Sequence, residues 1–159
     1  MIRKTFEPPP TERYFEDYHP GAVYEFGPFT VDEQEMLAFA RRFDPQDYHA
    51  DPEAAKNTIF GGVIASGWFT CALMMKYYAE DYLAHGASLA SGGLDELRWP
   101  KPVRAGDVLR LRIHVTSARR SVSKPDRGIV HNFIEVVNQN DEVVMHYKGQ
   151  NFFKCRNPG

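Results

Sequence analysis

Asp44 and His49 are the residues whose types and spacing first suggest chemistry in this sequence. They stand five positions apart, at the two ends of the segment Asp44-Pro45-Gln46-Asp47-Tyr48-His49. A carboxylate and an imidazole that share one water molecule form a general base and a general acid. Such a pair suits chemistry on a carbonyl compound. The other interpretation of Asp44 is structural, because an aspartate between a helix end and a proline caps and breaks the elements around it.

A glycine-containing entry to an apolar helix follows soon after, in Phe60-Gly61-Gly62 and then Ser66-Gly67-Trp68. A helix N-terminus offers backbone N–H groups to an oxygen that gains negative charge. Glycine inside a helix costs about 1 kcal/mol relative to alanine, so Gly67 should bring a compensating gain. That gain is either close approach of a ligand or close packing of helix on sheet. Ser66 either adds a hydroxyl to a pocket or caps the helix.

The whole string resembles the hydratase motif of the MaoC-like dehydratases, the (R)-specific enoyl-CoA hydratases of the hotdog superfamily. That motif runs D-x-N-P-x-H, then has an acidic residue two positions on and a glycine-rich entry to a long helix. The resemblance implies that Asp44 and His49 are catalytic, that Asp51 fills the acidic position, and that the Gly67 N–H is the oxyanion donor. It continues through Gly93 to Asp107 and covers about residues 24–154.

Two positions depart from that family pattern. Gln46 stands where the family commonly has Asn, and Asp47 stands where it has Pro. A glutamine still offers an amide on a longer arm, so we expect Gln46 to bind substrate, together with Gly62 and Ser66. The lost proline frees the backbone before His49 and adds a carboxylate beside the site. Trp99 and Arg98 could line the pocket, although a half-buried pair of strand residues explains them equally well.

The composition predicts an ordinary globular protein with one domain over residues 1–159. Of the 159 residues, 43% are hydrophobic and 25% charged, and the mean hydropathy is −0.47. A net charge of −2 and a pI near 6.3 provide no basic surface for nucleic acid. The apolar run from Gly61 to Met75 falls short of the roughly 20 residues that span a bilayer. Cys71 and Cys155 form no metal or disulfide pattern, and the N-terminus has no secretory signal, so we expect a cytoplasmic protein without metal or cofactor.

The periodicity predicts one dominant helix and five strands after an irregular N-terminal arm over residues 1–20, which should lie against the body. A capping box at Thr30 and Glu33 predicts a helix that ends near Phe43. The long helix is predicted over residues 65–84, buried on most sides in its first half and emerging into water in its second. Residues 52–56 should form one or two helical turns. The strands are predicted over residues 22–29, 94–99, 108–119, 129–137 and 143–154, with the second at an edge or a bulge because of Pro100 and Pro102.

An antiparallel sheet with one apolar face, wrapped around a helix that must be buried, satisfies both patterns together. This α+β arrangement is the hotdog fold that the resemblance also implies. The family further implies coenzyme A or acyl-carrier-protein thioesters as substrates, no metal, and a homodimer or a dimer of dimers with sites near the subunit interface.

The expected function is a hydro-lyase that acts on 2-enoyl and (R)-3-hydroxyacyl thioesters. One alternative is an acyl-CoA thioesterase of the same fold, which would need an acidic residue on the long helix. The segment between Gly67 and Tyr78 contains none. The other alternative is a protein that binds acyl thioesters without turning them over, which the departures at Gln46 and Asp47 leave open.

Overall fold

The computed structural model describes residues 2–3 and 5–159 of the chain. Four α-helices occur within those residues: α1 (Glu33–Phe43), α2 (Asp47–Ala50), α3 (Pro52–Ala55) and α4 (Gly67–Tyr77), and α4 continues into a π-helical turn over Tyr78–Tyr82. Six strands occur in the same residues: β1 (Ile2–Arg3), β2 (Ala22–Thr30), β3 (Leu94–Arg98), β4 (Val108–Arg120), β5 (Arg127–Val137) and β6 (Val143–Lys154).

The strands form one sheet in the order β1-β2-β4-β5-β6-β3. All neighbouring pairs are antiparallel except β1 and β2. The two-residue β1 was not predicted. Five strands and one dominant helix were predicted, and the antiparallel sheet around that helix is confirmed. The fold class is therefore α+β, as expected.

Alternation along the strands builds the core, because successive side chains of a strand point to opposite faces of the sheet. In β4 the inward residues Leu109, Leu111, Ile113 and Val115 are all buried, as predicted. Val130, Ile134 and Val136 of β5 extend the same layer. Phe69 and Met74 of α4 pack against this face in a single buried cluster.

Helix α1 begins two residues later than its predicted cap. Thr30 is still paired with Val108 in the sheet, so it cannot start a helix. Asp32 is the N-cap instead, and its Oδ1 accepts a hydrogen bond from the Glu35 N–H at 3.0 Å. The end of α1 at Phe43 is as predicted.

The predicted long helix is present and lies two residues inside its approximate bounds at each end, but its burial differs from the prediction. The helix begins at Gly67 because Ile64 and Ala65 are held extended by hydrogen bonds to the carbonyls of Tyr48 and Val103. Only one side of its first half is buried in the monomer, since Trp68 is 58% and Met75 44% exposed.

The second half of that segment also differs from the prediction. Lys76 and Glu80 are exposed as expected. Tyr78 and Tyr82 of the π-helical turn, however, are buried. Their hydroxyls donate to the side-chain oxygens of Asn151 and Asn132, respectively.

The N-terminal arm lies against the body, as predicted, and contains 3-10 turns over Pro10–Glu12 and Phe15–Asp17. Met1 and Lys4 lie outside the described residues. The Arg13 guanidinium is buried and donates to the carbonyls of Asp81 and Tyr82 at 2.7 and 2.9 Å. The Glu16 carboxylate accepts the Arg156 N–H at 2.8 Å. The arm is thus joined to both the end of the helical segment and the residues after β6.

Strand β3 is the edge of the sheet opposite β1, and it pairs only with β6. Its register shifts between Asp95 and Arg98, so the expected edge position and irregularity are confirmed. The strand ends one residue earlier than predicted, at Arg98. Trp99 and the two prolines that follow it then lead the chain toward the N-terminus of α4.

Candidate active site

Asp44 lies at the C-terminal cap of α1, where its backbone N–H still bonds to the Ala40 carbonyl. Its carboxylate accepts two hydrogen bonds from side chains. Ser66 Oγ donates to Oδ2 at 2.7 Å, and Gln46 Nε2 donates to Oδ1 at 2.7 Å. The structural role and the chemical role considered for Asp44 therefore coexist: its backbone ends α1 while its carboxylate is held in a fixed orientation.

The surroundings of Asp44 favour its ionised form. Burial acts to raise the pKa of this carboxyl, but the hydrogen bonds from Gln46 and Ser66 and the neighbouring His49 outweigh burial and lower the pKa below its ordinary value. Asp44 is therefore a carboxylate at neutral pH, able to accept a proton or a hydrogen bond but poorly suited to donate one.

His49 is buried in α2, a four-residue helix that was not predicted. Its Nδ1 lies 2.8 Å from the Ile64 carbonyl oxygen. A carbonyl only accepts, so Nδ1 must carry the proton, and in the neutral ring the lone pair is on Nε2. Nε2 lies 3.5 Å from Asp44 Oδ2. This separation is too long for a strong direct hydrogen bond, and it allows both atoms to contact one water molecule.

The N-terminus of α4 lies beside Asp44. Ser66 is the N-cap, and its Oγ accepts the Trp68 N–H at 3.3 Å while it donates to Asp44. Both interpretations of Ser66 therefore apply in part, since it caps the helix and binds the carboxylate. Within the described part of the chain, the N–H of Gly67 has no acceptor, so it is available to a ligand.

These groups border one cavity of about 420 Å³. Asp44, His49 and Gly67 all line it, so the structure brings together the three residues that were predicted to be catalytic. Thr70 and Lys101 also line it, and the rest of the wall is apolar or aromatic: Tyr48, Phe60, Ile64, Ala65, Trp68, Trp99, Pro100, Pro102, Val103 and Val144. An apolar cavity with a few convergent polar groups is the usual form of a small-molecule site.

The three residues predicted to bind substrate have different positions. Ser66 lies behind Asp44, fully buried. The Gln46 amide is already engaged at both ends, because its Oε1 accepts from the Tyr48 hydroxyl at 2.5 Å while its Nε2 donates to Asp44. Gly62 is outside the cavity wall and lies against Arg104, whose Nη1 would be 3.6 Å from a Cβ at this position.

Of the two residues whose place was left open, Trp99 lines the cavity and Arg98 does not. Thr70, Val103 and Val144 also line it, and none of them was predicted. Thr70 lies one turn after Gly67 on α4, so helical spacing could have found it. Val103 and Val144 carry no such signal, because only the fold brings them to the site.

A second cavity, of about 550 Å³, lies on the outer face of the sheet between strands β5 and β6 and Gly92-Gly93. His131 lines it, but His131 Nδ1 contacts Ser117 Oγ at 3.1 Å and not a carboxylate. No helix N-terminus lines this cavity. The larger cavity thus lacks the combination of groups found at the smaller one.

Two negative findings apply to residues 2–3 and 5–159. No group of three or more histidine, cysteine, aspartate or glutamate side chains is arranged to hold a metal ion. None of the helices in that part of the chain is long and apolar enough to cross a membrane.

Known protein families and solved structures also contain relatives of this chain. Residues 16–138 match the model of the family described as MaoC like domain. A 3-hydroxyacyl-thioester dehydratase Z of Mycobacterium tuberculosis is 35% identical over 103 residues, which cover 64% of this chain and 66% of that protein.

Two solved structures extend the likeness to the fold. The crystal structure of the MaoC-like dehydratase from Rhodospirillum rubrum has a TM-score of 0.83 and 36% identity, covering 91% of this chain and 99% of that one. A Mycobacterium tuberculosis protein described as having a double hotdog fold has a TM-score of 0.77 at 18% identity, covering 92% of this chain and 46% of that one. At that identity it shows the fold alone. The family match over most of the chain, together with the Rhodospirillum structure, shows that this chain belongs to the MaoC-like dehydratase family and has its hotdog fold.

Proposed function

We propose that this protein is a hydro-lyase that interconverts 2-enoyl and (R)-3-hydroxyacyl thioesters of coenzyme A or an acyl-carrier protein. The observation that carries the proposal is the 3.5 Å separation of Asp44 Oδ2 and His49 Nε2, at a cavity that Gly67 also lines. The family and the dehydratase relative support the thioester substrate. The (R) configuration follows from the resemblance alone.

In the proposed hydration, one water molecule donates hydrogen bonds to Asp44 and His49. The water oxygen adds to C3 of the enoyl group as His49 Nε2 takes one of its protons. The imidazolium then gives a proton to C2. His49 is the group that carries the proton because the lowered pKa of Asp44 makes that carboxyl a weak acid–base partner near neutral pH. Asp44 holds the water and stabilises the imidazolium.

As the water adds, negative charge moves onto the thioester oxygen. The Gly67 N–H, at the positive end of α4, is the proposed donor to that oxygen. One donor of this kind is typically worth ~3–4 kcal/mol in the transition state. The Gln46 amide then has a different role from the one first expected, because it orients the Asp44 carboxylate and is itself held by Tyr48.

Crotonyl-CoA tests the reaction directly. Loss of the enoyl absorbance without release of free thiol supports a hydro-lyase. Release of free thiol would indicate the thioesterase, and binding without either change would indicate the non-catalytic protein. The thioesterase alternative would need an acidic residue on α4, and Gly67–Tyr77 contains no carboxylate.

We also propose that the protein is a homodimer. Trp68 and Met75 on the outer side of α4 and Leu94 on β3 are large apolar residues exposed in the monomer, and β3 is an edge strand. Exposed apolar surface beside an unpaired strand edge favours association with a second copy. Light scattering after size exclusion should give twice the 18.2 kDa chain mass, and a monomer mass at micromolar concentration would contradict this.

A further inference from the structure

Trp99 occupies an unusual position against the candidate oxyanion donor. Its indole lies directly on the Cα of Gly67, so that a Cβ at Gly67 would come within 2.7 and 2.8 Å of the ring atoms Cδ2 and Cζ2. Real Cβ atoms do not approach so closely. The glycine at this point in α4 is therefore required by the tryptophan, in addition to any role of its N–H.

The indole is also fixed in orientation. Its Nε1–H donates to the Gly67 carbonyl oxygen at 3.1 Å, and its ring meets the ring of Trp68 edge-on, with centroids 5.2 Å apart. Pro100 follows directly and limits the backbone of Trp99. A side chain held by a hydrogen bond and by ring packing forms a firm wall.

This wall faces the place where the reacting carbons must lie. A thioester oxygen that accepts from the Gly67 N–H puts the carbonyl carbon, C1, within a few ångströms of the Gly67 Cα, which the indole covers. Trp99, Asp44, His49 and Gly67 line one cavity. The acyl chain of the substrate, next to C1, must therefore pass between the indole and the Asp44–His49 pair.

From this we infer that Trp99 is a specificity-determining residue: its indole narrows the cavity beside C1 and C2, so that the site accepts straight acyl thioesters and excludes those with a branch at C2. The inference rests on the proposed function for the identity of the reacting carbons. A rigid wall at van der Waals distance rejects one added methyl group by roughly 10- to 200-fold in a hydrophobic pocket.

The test compares butyryl-CoA with 2-methylbutyryl-CoA, which differ only in the methyl branch at C2 and need no turnover. Calorimetric titration of the full chain should give at least about tenfold weaker binding of 2-methylbutyryl-CoA. In Trp99→Ala that ratio should fall about tenfold. Ile59→Ala is the control, because it removes an exposed apolar side chain that does not line the cavity, and its ratio should stay near that of the unaltered chain.

A second readout uses catalysis. The ratio of kcat/KM for crotonyl-CoA over its 2-methyl derivative should fall in Trp99→Ala for the same reason. Trp99→Phe keeps a ring against Gly67 and should retain most of the discrimination, so it provides a folded variant if the alanine change destabilises the protein. Circular dichroism checks that each variant is folded.

Equal binding of the two saturated thioesters by the unaltered chain would overturn the inference, as would a ratio that changes less than twofold in both folded Trp99 variants. Selective binding without hydration of crotonyl-CoA would contradict the proposed function and leave the specificity role of Trp99 standing. Failure to bind either thioester would contradict both.

Discussion

The polar groups at the two ends of the central helical segment differ in whether their hydrogen bonds are made within the protein. At the C-terminal end, the Tyr78 and Tyr82 hydroxyls donate to Asn151 and Asn132, and Asn132 Nδ2 bonds to Asn151 Oδ1 at 3.2 Å. All four residues are buried. At the N-terminal end, the Gly67 N–H has no partner in the described chain, and Asp44 and His49 face a cavity without a direct short bond.

The C-terminal end of this segment therefore contributes to stability, and the N-terminal end provides the groups for chemistry. A buried polar network with every partner present stabilises one packing of the core. Burial raises the pKa of the Tyr78 and Tyr82 hydroxyls well above the ordinary value, so they stay neutral donors. A group with an unused hydrogen-bonding position is available to a substrate. Changes at the N-terminal end should therefore lower activity, and changes at the C-terminal end should lower stability.

The largest expected effect is on catalysis at the N-terminal end. Asp44→Asn and His49→Ala should each lower kcat for crotonyl-CoA by about 10²–10⁴-fold, the usual contribution of a positioned acid or base. The thermal midpoint of Asp44→Asn should stay nearly unchanged, whereas that of His49→Ala should fall because the buried bond to the Ile64 carbonyl is lost. Asp47→Asn is the control, since Asp47 is an exposed carboxylate three positions away and outside the cavity wall. A folded Asp44→Asn with full activity would remove the basis of the proposed function.

The next effect should appear at the C-terminal end. Asn132→Leu leaves the Tyr82 hydroxyl and one bond of Asn151 unsatisfied in the core, at a cost of about 1–3 kcal/mol for each group. Urea unfolding should show this loss, while kcat per folded molecule stays close to normal. The double variant Asn132→Leu/Tyr82→Phe removes both partners and should recover part of the stability. A loss of kcat without a loss of stability would contradict the division between the two ends.

A somewhat smaller loss of stability is expected for Arg13→Ala, which removes the donors to the Asp81 and Tyr82 carbonyls at the end of the helical segment. Hydrogen bonds from charged groups contribute about 1.5–3 kcal/mol, and part of this is recovered by water entering the site. Chemical unfolding again measures it, with Arg119→Ala at the exposed end of β4 as the control. Equal stability of the two variants would show that the arm adds little to the body.

The smallest effect is a shift in pH dependence. Ser66→Ala removes one of the hydrogen bonds that lower the pKa of Asp44, so that pKa should rise toward its ordinary value. The acid limb of the kcat/KM profile should move to higher pH. Because a lowered carboxyl pKa adds stability above its unfolded value and loses it as pH falls through the folded value, Ser66→Ala should also lose less stability on acidification. An unmoved acid limb would show that another group controls it.

The sequence predicted those parts of the site that lie close together in the chain. Asp44, His49 and Gly67 fall within one segment whose order resembles a known motif, so their types and spacing were sufficient. Trp99 was left open because its contact with Gly67 joins positions 32 residues apart, and no local pattern encodes that contact. Val144 was missed for the same reason.

The fold shows a similar division. The strands of alternating pattern, such as β4 and β6, were predicted within one or two residues because burial on one face imposes period two. The predicted burial of α4 was wrong. A uniformly apolar helix indicates that its surface will be covered, but it does not indicate whether the same chain or a second copy covers it. Trp68 and Met75 remain exposed in the monomer. Tyr78 and Tyr82 of the π-helical turn bond to Asn151 and Asn132, which lie far away in the sequence, so no local pattern predicts these contacts.

The bond between the Glu16 carboxylate and the Arg156 N–H spans 140 positions of the chain. During synthesis the ribosome adds Glu16 long before Arg156, so the arm stays undocked until its distant partner has been made. Contacts between such distant positions form slowly, and partly folded chains expose apolar surface in the meantime. The aromatic arm, which is well packed in the finished protein, is therefore the segment that a chaperone would meet unpaired on the nascent chain.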